Sequence, residues 1–206
     1  MAARLITIEG IDGAGKTTLA AALLEALKVR GIDAVALREP GGVALAERIR
    51  ALVKDPELEI GDRAEALLYA ASRAQLVAER VRPELEAGRW VLLDRYVDSS
   101  LAYQGAGRGL NVEAVRTIND FATAGLIADR TLLLAIDPSA GRSRRGARDE
   151  HPDRLEREAD EFFARVAAAY ALLAAENPAR IRTLDATRSP DELLDAALAE
   201  LSDLFE

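Results

Sequence analysis

Cysteine is absent from the 206-residue sequence, and histidine occurs only once. A chain without thiols has no disulfides, no thiolate metal ligands and no cysteine nucleophile. The single histidine, His151, stands beside Pro152, and we interpret it as a solvated loop residue. These absences argue against a histidine-based zinc site and against a Ser-His catalytic triad.

An excess of positive charge is also lacking, because 35 acidic residues against 27 basic ones give a net charge of −8. Such a chain is not expected to bind nucleic acid by neutralising phosphates, although a local basic pocket stays compatible with it. The most apolar stretch, Leu19–Val29, contains Glu25 and Lys28 and is too short to span a bilayer. Met1–Leu5 lacks the pattern of a signal peptide. We therefore expect a cytoplasmic protein with no nucleic-acid or membrane partner.

Short apolar runs alternate with helical patterns along the whole chain. The predicted strands are Leu5–Ile8, Asp33–Leu37, Trp90–Leu93, Thr131–Ile136 and Ile181–Leu184. The predicted helices are Thr18–Arg30, Val43–Lys54, Ala64–Glu86 with a break near Pro83, Val112–Ala124, Leu155–Ala175 and Pro190–Leu204. A glycine-rich loop is predicted over Gly105–Gly109, and the arginine-dense Gly141–Asp149 is predicted to be exposed and mobile. This alternation predicts an α/β fold with a five-stranded parallel sheet and helices on both faces.

The segment Gly10–Thr17 matches the phosphate-binding pattern G-x-x-x-x-G-K-[ST] without a mismatch, between a predicted strand and a predicted helix. Its glycines allow backbone N–H groups to converge on phosphate oxygens, and the helix N-terminus adds a favourable dipole. Lys16 is expected to reach the β- and γ-phosphates of ATP, and the Thr17 hydroxyl to ligate Mg²⁺. The pattern indicates a fold of the P-loop NTPase type. The predicted ATP-binding residues are Gly10, Ile11, Asp12, Gly13, Ala14, Gly15, Lys16, Thr17 and Thr18.

The rest of the chain favours a small-molecule kinase among P-loop proteins. The guanine-reading Asn-Lys-x-Asp pattern is absent, and the length leaves little room for the partner domains of a motor ATPase. Asp94 and Arg95 directly follow a predicted strand, at the sheet edge where ligands bind in such folds. Arg95 offers a fork for a second phosphate, unless it is a salt-bridge arginine. Asp94 is a predicted Mg²⁺ ligand, direct or through water, with a strand-end cap as the alternative.

Several segments taken together resemble the thymidylate kinases, which phosphorylate dTMP to dTDP. They are Ile8–Thr18, Arg38–Gly42, Leu68–Arg73, Asp94–Tyr96, Ser99–Gly105, Asp153–Glu156 and Leu184–Thr187. Their order and spacing are specific, and they extend almost to the C-terminus. The resemblance implies ATP and dTMP as substrates, Mg²⁺ as cofactor, in-line transfer without a covalent intermediate, and a homodimer.

The resemblance also implies a dTMP site. Arg95 would hold the dTMP phosphate, and Arg50 would contact the same phosphate. Tyr69 and Arg73, four residues apart on one helix face, would stack on the base and hydrogen-bond its carbonyl edge. Tyr69 stands where the family usually has phenylalanine, and stacking survives that change; without the resemblance we would interpret Tyr69 as a core residue. The remaining candidates are Asp12 facing the sugar and phosphate, Tyr103 beside the 2′ carbon, and Ser100 and Gln104 at the base.

The last implied element is an arginine-rich lid at about residues 138–153 of a single kinase domain spanning residues 1–206. Gly13 stands where some thymidylate kinases carry an arginine, and members without it supply that cation from the lid. Such a cation stabilises the transferred phosphoryl group and is worth on the order of 10³-fold in related systems. The predicted catalytic residues are Lys16, Arg95 and the lid residues Arg148, Arg142 and Arg145, with Arg148 favoured. The lid could also be a solvated basic loop.

Two other functions stay open at this stage. The first is a kinase for another acceptor, such as dCMP, dUMP or a deoxynucleoside. The second is a non-catalytic module that binds ATP as a switch. Arg95 and the lid arginines argue against the second, because a sensor has no need to clamp another phosphate.

Overall fold

The computed structural model describes residues 2–146 and 153–205. Within these residues, five strands form one sheet: β1 (Leu5–Glu9), β2 (Ala34–Arg38), β3 (Trp90–Asp94), β4 (Arg130–Ala135) and β5 (Ile181–Asp185). All neighbouring strands are parallel, and their order is β2-β3-β1-β4-β5. Each strand begins and ends within one residue of its predicted bounds. The prediction of an α/β fold with a five-stranded parallel sheet is confirmed.

The strand order places the functional segments side by side. The central strand β1 is completely buried and lies between β3 and β4, with Ile8 opposite Asp94 on one side and Leu132 on the other. Because parallel strands end at the same edge, the P-loop that follows β1 and Arg95 that follows β3 emerge next to each other.

Helices cover both faces of this sheet. They are α1 (Lys16–Val29), α2 (Ala44–Lys54), α3 (Asp62–Leu76), α4 (Arg82–Glu86), α5 (Val97–Ser100), α6 (Val112–Thr123), α7 (Pro138–Gly146), α8 (Asp160–Glu176) and α9 (Pro190–Glu200). One core contains Leu23 of α1 and Ala197 of α9, packed against one sheet face. Two further cores lie under α8 and beside the end of α3. No helix in the described residues is long and apolar enough to cross a membrane.

Two helical predictions need correction. The long helix predicted over Leu155–Ala175 begins only at Asp160. The Asp153 carboxylate accepts hydrogen bonds from the N–H groups of Leu155 and Glu156 and caps a single turn, and the extended backbone of Ala159, with ψ 162°, separates that turn from α8. The last helix ends at Glu200 instead of Leu204, and Ser202–Leu204 forms a short 3₁₀ turn.

Two π-helical turns occur near places where the sequence predicted a helix break and a glycine-rich loop. Val77–Val81 is a π-helical turn between α3 and α4, and the chain remains helical through Pro83 to Glu86. The break predicted near Pro83 is therefore wrong, because proline is tolerated in the first turn of a helix. The predicted glycine-rich loop over Gly105–Gly109 is partly helical, because Leu101–Gly107 forms a second π-helical turn. A Cβ atom at Gly107 would lie 2.7 Å from the Phe162 ring, so glycine lets this turn pack against α8.

The arginine-dense segment, which was predicted to be exposed and mobile, begins as a helix. Its first part is the helix α7, in which Gly141 is buried while Arg142 and Arg144 are exposed. Gly141 packs on the P-loop, since a Cβ atom at Gly141 would lie 2.9 Å from the Asp12 carbonyl oxygen. The described part of the segment is therefore helical and anchored at one glycine.

Candidate active site

A cavity of about 340 Å³ opens at the carboxyl edge of the sheet. Its walls come from the P-loop, the turn after β2, helices α2 and α3, the end of β3 and the turn that precedes α8. The lining includes every predicted dTMP-site residue, namely Asp12, Arg50, Tyr69, Arg73, Arg95, Ser100, Tyr103 and Gln104. It also includes Gly13, Gly15, Lys16, Thr17, Thr18 and Asp94 from the predicted ATP and metal sets. The other predicted P-loop residues, Gly10, Ile11 and Ala14, are buried behind this surface.

The P-loop glycines have a steric reason as well as a phosphate-binding one. Gly13 has a φ of 85°, a left-handed conformation that glycine adopts without strain. A Cβ atom at Gly13 would lie only 2.1 Å from the Gly141 carbonyl oxygen of α7. The loop and helix α7 therefore approach each other more closely than any side chain at position 13 would allow.

Lys16 is buried at the N-terminal end of α1. Its Nζ donates to the Ile11 carbonyl oxygen at 3.0 Å and lies 3.9 Å from Asp12 Oδ1. Burial, followed by the repulsion of Arg95, lowers the pKa of Lys16 to about 8. The buried ammonium group is thus suited to receive the phosphates of a nucleotide, which would stabilise its charge.

Thr17 and Asp94 bring two oxygen groups together at the mouth of this loop. Thr17 Oγ1 donates to Asp94 Oδ2 at 2.8 Å. A hydroxyl and a carboxylate fit a hard cation such as Mg²⁺, which is usually completed by water and substrate phosphates. No cluster of three or more His, Cys, Asp or Glu side chains able to hold a metal occurs in residues 2–146 and 153–205. The donor set therefore fits a metal that arrives with a nucleotide.

Arg95 has a left-handed backbone, with φ 71°, immediately after β3. Nη1 donates to the Gly10 carbonyl oxygen and to Ser99 Oγ, both at 3.1 Å. Nη2 donates to Asp12 Oδ1 at 2.6 Å and to the Tyr103 hydroxyl at 3.3 Å. Burial opposes the charge of this guanidinium, but Asp12 holds the pKa of Arg95 well above its usual value. A non-glycine residue in this conformation costs roughly 1–2 kcal/mol, a strain that is common at functional sites.

Arg73 lines the cavity and is held by a buried hydrogen-bond network. Only 1% of Arg73 is exposed, and Nε donates to Glu39 Oε2 at 2.7 Å. Nη1 donates to Ser100 Oγ at 2.8 Å and to the Asn119 side chain, while Nη2 donates to the Tyr96 carbonyl oxygen at 2.8 Å. Because Ser100 Oγ accepts from Arg73, the Ser100 proton is left to donate elsewhere. Arg73 is therefore held in a buried network while its surface reaches the cavity.

The remaining dTMP candidates are also tied to the scaffold. Gln104 Nε2 donates to the buried Glu65 carboxylate at 2.9 Å, and its side-chain Oε1 can accept a hydrogen bond from a ligand. Arg50 Nη1 donates to the Pro40 carbonyl oxygen at 2.9 Å. Tyr69 packs against the core under α8 and presents part of its ring to the cavity.

Arg142, the predicted lid arginine with a described side chain, does not line the cavity, and neither does Arg144 of the same helix. Arg142 pairs with Asp160, and Arg144 Nη1 donates to the Ala186 carbonyl oxygen at 2.8 Å. Arg145 lies on α7, but its side chain is outside what the structure describes. Arg148 and His151 lie outside the described residues altogether. The structure thus brings the P-loop and dTMP sets together, and Arg142 is the one predicted lid arginine with a described side chain, which lies outside the cavity.

The cavity also contains residues to which the sequence assigned no role. Lys54 Nζ pairs with Asp153 Oδ2 at 2.7 Å, and both line the cavity together with Glu156. The segment Asp153–Glu156 carried a signal, since it is one of the stretches that resemble thymidylate kinases. Lys54 carried none, because it is an ordinary basic residue in the last turn of a helix.

Known proteins resemble this chain over almost its whole length. A family model described as "Thymidylate kinase" matches residues 8–197. The thymidylate kinase of Rhizorhabdus wittichii is 46% identical over 209 residues, which cover 100% of both chains. That of Deinococcus radiodurans is 51% identical over 188 residues and 91% of each chain. A crystal structure of the Ehrlichia chaffeensis enzyme superposes with a TM-score of 0.79 at 27% identity, covering 98% of this chain and 99% of that one.

Proposed function

This chain belongs to the thymidylate kinase family, and we propose that its cavity holds ATP and dTMP together so that the γ-phosphoryl group passes directly to the dTMP phosphate, giving dTDP and ADP. One observation carries the proposal. A single carboxylate oxygen, Asp12 Oδ1, lies 3.9 Å from Lys16 Nζ and 2.6 Å from Arg95 Nη2. Two cations suited to phosphate, one from the P-loop and one from the end of β3, therefore face the same small volume.

The reaction in this geometry needs alignment and neutralisation of charge more than an acid or a base. The acceptor is a phosphate monoester that is already ionised at neutral pH, so no proton has to be removed from it. Lys16 would hold the β- and γ-phosphates, and Arg95 would hold the acceptor phosphate in line with them. Mg²⁺ held by Thr17 and Asp94 would supply further neutralisation of phosphate charge.

The other half of the cavity provides a site for a pyrimidine deoxynucleotide. Tyr69 supplies a ring face for the base, while Ser100, supported by Arg73, and Gln104 supply hydrogen bonds at the base edge. Tyr103, whose hydroxyl contacts both Arg95 and Asp12, would lie at the sugar and disfavour a 2′-hydroxyl. Arg50 would add a second positive charge to the acceptor phosphate.

The lid and its arginines are assigned mainly by their resemblance to those of other thymidylate kinases. We keep residues 1–206 as one kinase domain with a lid at about 138–153, and Arg148 as the favoured transition-state cation, with Arg142 and Arg145 behind it. The helix α7 supports a lid that begins on the P-loop, because Gly141 packs directly against it. Closure would exclude water, which otherwise competes as phosphoryl acceptor.

We further propose that the protein acts as a homodimer in the cytoplasm, where ATP is available. Helix α3 packs between α2 and α6. Each of these helices exposes large apolar side chains, and Phe121 of α6 is 90% exposed. Apolar surface of this kind is typical of a protein interface. The exposed apolar members are Leu45, Leu52, Leu67, Val112 and Phe121.

The proposal is tested by ADP release in the presence of ATP, Mg²⁺ and single acceptors: dTMP, dUMP, dCMP and thymidine. We expect the highest kcat/KM with dTMP, and no turnover in the Lys16→Ala variant. Highest turnover with another monophosphate would overturn the base site while leaving the P-loop assignment. ATP binding without turnover on any acceptor would overturn the kinase assignment and favour a nucleotide sensor.

A further inference from the structure

A buried carboxylate lies directly behind Arg95 and belongs to none of the predicted binding sets. Glu9 is the last residue of β1 and is 0% exposed. Its Oε1 accepts from the backbone N–H groups of Tyr96 at 2.7 Å and Ser99 at 3.2 Å. Its Oε2 accepts from the hydroxyls of Ser99 at 2.6 Å and Tyr170 at 2.9 Å. One carboxylate thus holds the backbone that follows Arg95 and two hydroxyl groups beneath it.

The Ser99 hydroxyl connects this carboxylate to the cavity. Ser99 Oγ donates to Glu9 and accepts from Arg95 Nη1 at 3.1 Å. Burial, followed by the nearby Asp98, raises the pKa of Glu9 to about 7. In either protonation state of Glu9, Ser99 Oγ keeps a lone pair directed at Arg95, because a hydroxyl oxygen accepts twice. Ser99 therefore orients Nη1 of Arg95, while Asp12 and Tyr103 contact Nη2.

Tyr170 brings the helix after the lid into the same arrangement. It lies on α8 and is 4% exposed, with its hydroxyl 2.9 Å from Ser99 Oγ as well as 2.9 Å from Glu9 Oε2. Its ring packs edge-on against Tyr103, with the ring centroids 6.4 Å apart. Helix α8 thus reaches Arg95 through both Ser99 and Tyr103.

We propose that Glu9, Ser99 and Tyr170 are positioning residues that act through Arg95 and set the affinity of the enzyme for the phosphate group of its acceptor. The inference rests on the proposed role of Arg95 at the dTMP phosphate. The proposal predicts an effect on the phosphate group alone. Loss of the Ser99 or Tyr170 hydroxyl should weaken binding of a nucleotide that carries the phosphate and leave binding of the nucleoside unchanged.

Calorimetric titration of dTMP and of thymidine, which lacks the phosphate, makes this separation measurable. We expect Ser99→Ala to weaken dTMP binding about tenfold, the size of one hydrogen bond to a charged group, and Tyr170→Phe to weaken it about threefold. Thymidine affinity should stay within about twofold in both. The matched control is Thr7→Val, which removes a buried hydroxyl on β1 whose partner is Thr131 at 2.7 Å; it should change neither affinity.

A double-mutant cycle tests whether the effect passes through Arg95. In the Arg95→Ala background, Ser99→Ala should cause no further loss of dTMP affinity. Additive losses, equal losses for dTMP and thymidine, or unchanged dTMP affinity would each overturn the proposal. Each variant removes one hydroxyl, so if one fails to fold, the other carries the test. A wild-type chain that binds dTMP but does not phosphorylate it would overturn the proposed function instead, which keeps the two failures distinct.

Discussion

The lowered pKa of Lys16 predicts that ATP binding depends on pH within an accessible range. Lys16 has a pKa of about 8 in the free protein because burial and Arg95 oppose its charge. The phosphates of ATP favour the charged form, so ATP binding should draw a proton onto this lysine. The sign is therefore fixed: affinity is full below pH 8 and falls as the pH rises through it.

The size of the effect follows from the same value. If only the charged lysine holds the phosphates, the dissociation constant for ATP rises about tenfold between pH 7 and pH 9. Near pH 8, about half a proton is taken up for each nucleotide bound. The terminal phosphate of the nucleotide, whose pKa is about 6, is ionised throughout this range and does not contribute.

Calorimetric titration with ATP and Mg²⁺ in the absence of an acceptor measures both quantities when it is repeated in two buffers of different ionisation enthalpy. Lys16→Met is the control, because it should bind more weakly and show no step near pH 8. If the wild-type protein binds ATP equally well from pH 7 to pH 9 and takes up no proton, the charge of Lys16 does not control ATP binding. The same pH step in Lys16→Met would assign it to another group.

Two substitutions test the packing around the cavity. Gly13→Ala places a Cβ atom 2.1 Å from the Gly141 oxygen, so we expect a loss of about 1–3 kcal/mol in unfolding free energy beyond that of Gly88→Ala, a control of similar φ with open space around it. Arg73→Ala leaves the buried Glu39 carboxylate without its cation, and we expect a loss of about 3–5 kcal/mol in urea unfolding together with a raised KM for dTMP.

Specific results would contradict each of these expectations. Equal stability of the Gly13→Ala and Gly88→Ala variants would show that α7 moves away from the P-loop without cost. A normal dTMP KM for Arg73→Ala would overturn the assignment of Arg73 to the base site. Unchanged stability of the same variant would show that Glu39 finds another partner or takes up a proton.

The sheet and the phosphate loop were predictable because their signals are local. Each strand is a short run of apolar residues that ends at a turn or at Asp94, and the burial of such a run does not depend on which helix covers it. The pattern Gly10–Thr17 encodes its own backbone geometry through its glycines. Arg95 could be placed at the sheet edge because it directly follows a strand.

The contacts that give the site its electrostatics were not predictable in this way. Arg73 was expected on one helix face with Tyr69, but the groups that occupy its guanidinium come from segments between 23 and 46 residues away. Glu9 appears in the sequence only as a strand end, and its role emerges when Tyr170 arrives from 161 residues further along. Spacing patterns carry no information about such long-range pairs.

The start of α8 shows a different limit of sequence reasoning. Leucine and alanine spacing continues back to Leu155, so a helix from that residue is consistent with the pattern. Asp153 caps a single turn through the N–H groups of Leu155 and Glu156, as short polar side chains do at helix beginnings, but the extended backbone of Ala159 separates this turn from α8. The residue spacing does not show this interruption.

Direct transfer of the γ-phosphoryl group from ATP to dTMP can be tested by following a labelled phosphate. With [γ-³²P]ATP, dTMP and Mg²⁺, we expect the label to appear in dTDP from the earliest times and never on the protein, because the cavity holds donor and acceptor together. Label on the protein before it reaches dTDP, or release of the label only as inorganic phosphate, would contradict direct transfer between the two nucleotides.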